Sequence, residues 1–337
     1  MSFLKVLRKL KNKTDDVVKV GSKRKREEEE PVPVCIPSTP PDILSSYNVT
    51  ELYRYPGEEC GLPWKDWKQQ QKLPSASMLA SIFGLGYATF KDELQFVLGL
   101  KEKTTTTTIW TEKLMKHGID NEPEARNMFL AEKKIPERNI MSKNVVSVVF
   151  DVDLVSTHTK FLATPDLLFI TEEGELSVCE IKCPGYGIVV NKKDGKSIAD
   201  LTVAFLDKYP HGKPQHFIQV ATYAYLFKCR TFYLYYLFTD GINKYTIEFR
   251  YNLTQDVIAM VSDAIFRCST YIDRYNVEME QFGKCDFMNY PIRIAKKNQL
   301  DSIKRTIAGV DVLKYSCITN HCSWAELQKE SPEESKQ

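Results

Sequence analysis

No run in the sequence approaches the ~18 consecutive apolar residues that a membrane-spanning helix requires. A helical membrane protein is thereby excluded. Charge imbalance is missing too: 46 basic residues nearly cancel 44 acidic ones, leaving a formal net charge of +2. A global positive field is ruled out, so any nucleic-acid binding has to come from a local basic groove. The nine cysteines, scattered from Cys35 to Cys322, lack the close spacing of a disulfide framework, and no secretory signal precedes them. A reducing compartment is expected. Cys179/Cys183 and Cys317/Cys322, the second pair enclosing His321, have no matching partner knuckle and read as packed thiols rather than zinc ligands. No internal repeat is present.

What remains is an ordinary globular composition, 337 residues with 43% apolar and 27% charged, enough for one large core or two modest ones. The ends differ from the middle. The opening MSFLKVLRKLKNKT carries basic but no acidic residues, and Phe3, Leu4, Val6, Leu7 and Leu10 could share a helical face, as in a transit peptide or a surface-binding helix. Lys23-Arg24-Lys25-Arg26 then forms a tetrad of nuclear-localisation type against the acidic run Glu27 to Glu30. The following Glu, Pro and Ser-rich stretch cannot bury enough apolar surface to offset its ordering entropy. Residues 1–47 read as a flexible tail, 48–320 as one folded domain and 321–337 as a second tail.

Within the domain, Ser75 opens a short apolar helix through Phe83 that stops at Gly84 and Gly86, and Phe90 to Leu100 reads as a second helix. A long helix is expected from Thr111 to Lys134, with Gly118 and Pro123 as possible break points. Three strand-like runs follow: VVSVVFDVDLV, KFLATPDLLFI and LSVCEIKC, the last two joined by a hairpin turn at Glu172-Glu173-Gly174-Glu175. Pro214 to Lys228 returns to helical periodicity. TFYLYYLF and KYTIEFRY supply two further strands, and an amphipathic helix runs from Thr254 to Tyr275.

The chemically informative residues lie in the strand pair. Thr164-Pro165-Asp166 precedes Val178-Cys179-Glu180-Ile181-Lys182, and strand alternation puts Glu180 and Lys182 on one side of an otherwise apolar strand. Cutting a phosphodiester needs a hard cation held by carboxylate oxygens, which neutralises phosphate charge and acidifies a bound water. Asp166 and Glu180, brought together across the hairpin, would supply those oxygens, and Lys182 would orient the attacking water. A PD followed by an ExK also occurs on ordinary solvated sheet faces, so context decides.

The context is an upstream helix, Gly118-Ile119-Asp120-Asn121-Glu122-Pro123-Glu124-Ala125. It resembles the G-x-x-x-E-x-x-A helix of the lambda exonuclease family of PD-(D/E)xK nucleases, also called YqaJ-like viral recombinases and related to alkaline exonucleases. The PD, the ExK with Cys183-Pro184 behind it, and a helix beginning Gln215-His216-Phe217-Ile218-Gln219 follow in the family's order. The resemblance runs from about Trp64 to Phe238 and implies that Glu122 completes the metal site and that Gln219 stands near it. Trp67 and Pro74-Ser75-Ala76-Ser77 look like the family's terminal-phosphate element. The spacing is one residue short, and Gln70, Gln71 or Lys72 stands where an arginine is usual, so the 5′-phosphate grip departs from the pattern. Ser75 reads equally well as a helix N-cap.

The fold implied is α/β (α+β): a restriction-endonuclease-like core, a mixed central sheet flanked by helices, with the site at its open edge. The implied reaction is Mg2+-dependent exonuclease hydrolysis of DNA, 5′ to 3′, with one or two ions (Mn2+ able to substitute) held by Glu122, Asp166, Glu180 and the backbone carbonyl of Ile181. Lys182, Glu180, Asp166, Glu122 and Gln219 are the catalytic candidates, and Ser75, Ser77, Lys72, Lys192 and Lys193 the phosphate-binding ones. His211 and His216 flank the Gln219 helix and could face substrate. The implied setting is viral-type recombination, replication or repair beside a single-strand annealing recombinase, in the nucleus or cytoplasm. A mitochondrial single-strand exonuclease, an RNA-cutting relative and a non-catalytic nucleic-acid-binding protein are the rival readings.

Overall fold

The computed structural model of the chain describes residues 53–54, 73–86, 88–101, 108–142, 148–151, 160–185, 197–285, 306 and 313–317. Both expected tails and the limits of the expected domain lie outside them. Among the described residues no helix is long and apolar enough to cross a membrane.

The strands are β1 (Tyr53–Arg54), β2 (Ile140–Ser142), β3 (Val148–Asp151), β4 (Lys160–Ala163), β5 (Leu167–Ile170), β6 (Leu176–Lys182), β7 (Thr231–Thr239), β8 (Lys244–Asn252) and β9 (Leu313–Cys317). A small sheet has the order β1-β3-β4. The main sheet has the order β2-β5-β6-β7-β8-β9. In the main sheet β6 and β7 are parallel and every other neighbouring pair is antiparallel, so the sheet is mixed as expected.

The helices are α1 (Phe90–Val97), α2 (Ile109–Glu132), α3 (Ile198–Lys208), α4 (Pro214–Leu226) and α5 (Gln255–Phe282), with a 3-10 helix at Ala76–Phe83. The parallel β6–β7 pair needs a crossover, and α3 and α4 provide it. They cover one face of the sheet with the 3-10 helix, α1 and α5, in a core that includes Leu79, Phe90, Val178, Phe205, Phe217, Phe232, Tyr236, Phe249 and Ile265. On the other face α2 packs Ala125 and Phe129 against Leu167, Phe169, Cys179, Ile181, Tyr233 and Tyr235. Phe129 meets Phe169, Tyr233 and Tyr235 edge-on, with centroids 5.6, 5.5 and 5.3 Å away. Such contacts add ~0.5–1.5 kcal/mol each beyond burial, which anchors α2 to the sheet.

Four expectations are corrected in detail. KFLATPDLLFI is not one strand: it splits at Thr164-Pro165-Asp166, with β4 joining the small sheet and β5 the main one. Proline has no N–H for a ladder, so the chain changes sheets there. The long helix does not break. It runs through Gly118 and Pro123, because the carbonyl that Pro123 leaves unpaired belongs to Ile119, a residue 67% exposed. The last helix extends past Tyr275 to Phe282 and ends at Gly283, whose φ of 63° supplies a left-handed cap. Its final stretch is legible only from that cap, since the last buried residue is Ile272. The site, finally, is not at a lateral edge: β6 is an interior strand.

The sequence reading placed no element at α3. Its signal is Ser197, which accepts from the Asp200 N–H while the Asp200 side chain accepts from the Ser197 N–H, a capping box. The hairpin turn is as expected: Gly174, at φ 81°, closes back on the Thr171 carbonyl at 3.0 Å. Cys179, Cys183, Cys229, Cys268 and Cys285 are free thiols.

Candidate active site

A strand covered on both faces has no solvent side, so a charged residue in β6 must find partners inside the protein. Val178 points into the α4 layer and Cys179 and Ile181 into the α2 layer, which puts Glu180 on the α4 side. Its side chain is 3% exposed. Lys182, two residues on, donates to Glu180 Oε1, and Gln219 Nε2 on α4 donates to the same oxygen at 2.7 Å. Glu180 Oε2 is buried without a partner.

The β5–β6 register sets Leu167 opposite Cys179, which brings the preceding Asp166 beside Glu180. Asp166 Oδ2 accepts the Ile181 N–H at 2.6 Å. Burial and the neighbouring Glu180 charge push the Asp166 carboxyl well above the usual carboxylate range, and Glu122 adds to the rise against the opposing pull of Lys182. Burial likewise raises Glu180, partly offset by Lys182. The site holds more negative charge than its lysine neutralises.

Glu122 reaches the same region from α2, and its charge is felt by Asp166, Glu180 and Cys183. Its Oε1 accepts from Arg126 at 2.8 Å, one helical turn on. That guanidinium is 13% exposed and was not among the sequence candidates. Among the described residues no three His, Cys, Asp or Glu side chains stand close enough, as oriented, to hold a metal ion. The donor set still suits a hard cation. It offers carboxylate oxygens, one of them buried and unpartnered, and mutual repulsion that a cation relieves. Asp166 and Glu180 would hold it, and Glu122 would join them on leaving Arg126. Ile181 enters the observed geometry through its N–H.

The other expected residues divide. Ser75 does not cap: its side chain makes no capping bond, and its Oγ lies 3.0 Å from Ser77 Oγ. It bridges to Leu162 on β4, four residues before Asp166. Lys72, Lys192, Lys193, Trp67, Gln70 and Gln71 lie outside the described residues. His216 is turned inward. It is buried with Nδ1 2.8 Å from Tyr236 Oη, and burial holds it well below the usual histidine value, neutral. The His211 carbonyl accepts from Tyr251 Oη at 2.9 Å.

Gly118 passes over the turn after β6, and a Cβ there would meet nothing closer than the Cys183 carbonyl at 4.0 Å. Glycine inside a helix costs roughly 0.5–1 kcal/mol relative to alanine. Gly118→Ala is therefore expected to raise stability by about that amount in urea denaturation. A loss instead would mean that the backbone needs the space.

Residues 63–228 match the model of the YqaJ-like viral recombinase domain. This segment, just under half of the chain, is similar to the YqaJ-like viral recombinase domain. The segment holds Glu122, Asp166, Glu180, Lys182 and Gln219, so every candidate of the assembled site falls inside the YqaJ-like domain. Among solved structures, LHK-Exo in complex with dAMP is 19% identical, with TM-score 0.40 over 64% of this chain and 94% of that one. The alkaline exonuclease LHK-Exo from Laribacter hongkongensis is 17% identical, with TM-score 0.40 over 64% of this chain and 98% of that one. No curated protein matches significantly.

Proposed function

We propose that the chain is a metal-dependent deoxyribonuclease that hydrolyses DNA from an end, 5′ to 3′, using Mg2+ with Mn2+ able to substitute. The observation that carries this reading is the meeting of Asp166, Glu180 and Lys182 at the end of β6, with Gln219 fastened to Glu180. The match of residues 63–228 to the YqaJ-like domain supports it. A bound cation would neutralise phosphate charge and acidify a water molecule. The rest falls to the protein. Glu180 and Asp166 provide an electronegative seat held rigid by Gln219 and the Ile181 N–H. Lys182, 27% exposed, reaches both that seat and solvent, where its ammonium can orient a water and offset charge developing on the phosphate. In this reading the enzyme processes DNA ends in viral-type recombination, replication or repair, with a single-strand annealing protein as partner, in nucleus or cytoplasm, or in mitochondria if the basic start acts as a transit peptide.

One observation favours a second reading, a nucleic-acid-binding protein without turnover: Glu122 is engaged by Arg126 and the three carboxylates do not converge. Digestion of 5′-labelled, 3′-labelled and circular duplex DNA, in Mg2+ or EDTA, decides. The expected result is loss of linear DNA in Mg2+ alone, survival of circles, and release of the 5′ label first. Equal cutting of circles would make it an endonuclease. Retention of DNA in a gel shift without cleavage would support the second reading.

A further inference from the structure

Tyr223 lies one turn beyond Gln219 on α4 and is 3% exposed. A buried hydroxyl is costly unless it is hydrogen-bonded, and this one has partners on two sides. Gln219 Nε2 donates to Tyr223 Oη at 3.0 Å. The backbone of Thr164 also hydrogen-bonds the phenol. The same Gln219 nitrogen donates to Glu180 Oε1 at 2.7 Å. A side-chain amide nitrogen carries two hydrogens, so both are committed, one to Glu180 and one to Tyr223. Thr164 is two residues ahead of Asp166, in the segment where the chain leaves β4 for β5. A single phenolic oxygen therefore ties the side chain that fixes Glu180 to the backbone that delivers Asp166.

We infer that Tyr223 is a positioning residue: its phenol orients the Gln219 amide and braces the Thr164 turn, so that Glu180 and Asp166 stand in one fixed relation. It touches neither carboxylate through a described bond, and its effect passes through Gln219 and Thr164. Burial and the nearby Glu180 and Asp166 charges keep the phenol protonated, so its role is geometric and not that of a base. The bland alternative is that Tyr223 fills core volume, in which case phenylalanine would serve equally well.

The inference rests on the nuclease reading above, and its test separates the two. Tyr223→Phe keeps the ring and removes one oxygen. The expected result is a fall in kcat of about ten- to a hundredfold, the usual cost of losing a group that orients a metal ligand, with KM for DNA within about twofold. Mn2+ affinity measured by calorimetry in the absence of DNA should weaken about tenfold. In nitrogen-15 spectra the Gln219 side-chain amide signals should shift. Gln219→Ala removes the other end of the link, and a Tyr223→Phe, Gln219→Ala double variant should lose less than the two single losses combined, because the two act in part through one bond. Unmoved Gln219 signals, unchanged Mn2+ affinity, or additive losses in the double variant would overturn the inference. If the wild type cuts no DNA, the nuclease reading fails while the amide signals and Mn2+ affinity still decide the role of Tyr223. Should Tyr223→Phe not fold, Gln219→Ala decides through Mn2+ affinity, an unchanged value overturning the link.

Discussion

Lys182→Ala is expected to lower kcat on linear DNA about a thousandfold while leaving KM within about threefold. The side chain is the cation that the structure places against the paired carboxylates, and it is the charged group of β6 that still reaches solvent. Removing it takes away the donor to Glu180 Oε1 and leaves Gln219 as the described partner of that oxygen. A group that acts on developing charge is felt in the transition state and not in ground-state binding, hence the split between kcat and KM. Lys182→Arg should recover only part of the loss, since a planar guanidinium is wider than an ammonium and does not sit as a point charge. Single-turnover digestion of labelled duplex, with circular dichroism to show that the variant is folded, measures both. Activity within about tenfold of wild type would remove Lys182 from the chemistry.

Asp166→Asn should separate activity from stability. Turnover is expected to fall about a thousandfold, as for loss of a charge-bearing group at the reacting centre, while the metal-free protein becomes more stable at neutral pH. Asparagine keeps an oxygen to accept the Ile181 N–H but ends the repulsion with Glu180 and the burial of a charge. The Asp166 carboxyl is raised well above its usual value, first by burial and then by Glu180. The native chain therefore holds a proton that the unfolded chain has released at about pH 3.9. Wild-type stability consequently falls as pH rises from that value through the raised folded value, and the stability is regained on acidification. The variant is therefore expected to be the more stable form above that window. Urea midpoints measured between pH 4 and 8 in EDTA should show the gap between variant and wild type widening with pH. Saturating Mg2+ should narrow it, because a ligand that binds only the folded wild type stabilises that form. A gap that is absent, or that shrinks as pH rises, would mean that Asp166 is not penalised in the native state.

The site was legible where local rules meet. A Glu and a Lys two apart in an apolar strand announce a buried face with chemistry on it, and the Glu172-Glu173-Gly174-Glu175 turn sets Asp166 opposite them. Gln219 became a candidate by resemblance, and its bond to Glu180 gives that resemblance a physical content. What was hidden depends on tertiary contact. Tyr223 in the helix TYAYL reads as one more core aromatic, because nothing in its neighbours reveals that β4 ends against it. Arg126 is four residues beyond Glu122, a spacing common to exposed helical pairs, and only its burial marks it as different. In the fold, β6, β7 and β8 were placed nearly to the residue from their β-branched and aromatic runs, whereas α3 was missed despite its capping box. The division of KFLATPDLLFI between two sheets required knowing where its two halves find partners, although Pro165 already marked the joint.

Pro123 gives α2 a mechanical property that its continuous outline conceals. The bond that would have joined residue 123 to Ile119 cannot form, so the helix has a gap in its ladder immediately after Glu122. The segment beyond the gap is clamped to the sheet through Ala125 and Phe129, whereas Ile109, Trp110, Met115 and Ile119 on the segment before it are exposed. A rod with one missing rung bends at that rung before it bends elsewhere. Glu122 sits beside this missing rung, between Leu114, which lies against Gly185, and Phe129, which is packed on the sheet, so any bend of α2 turns its carboxylate relative to β6.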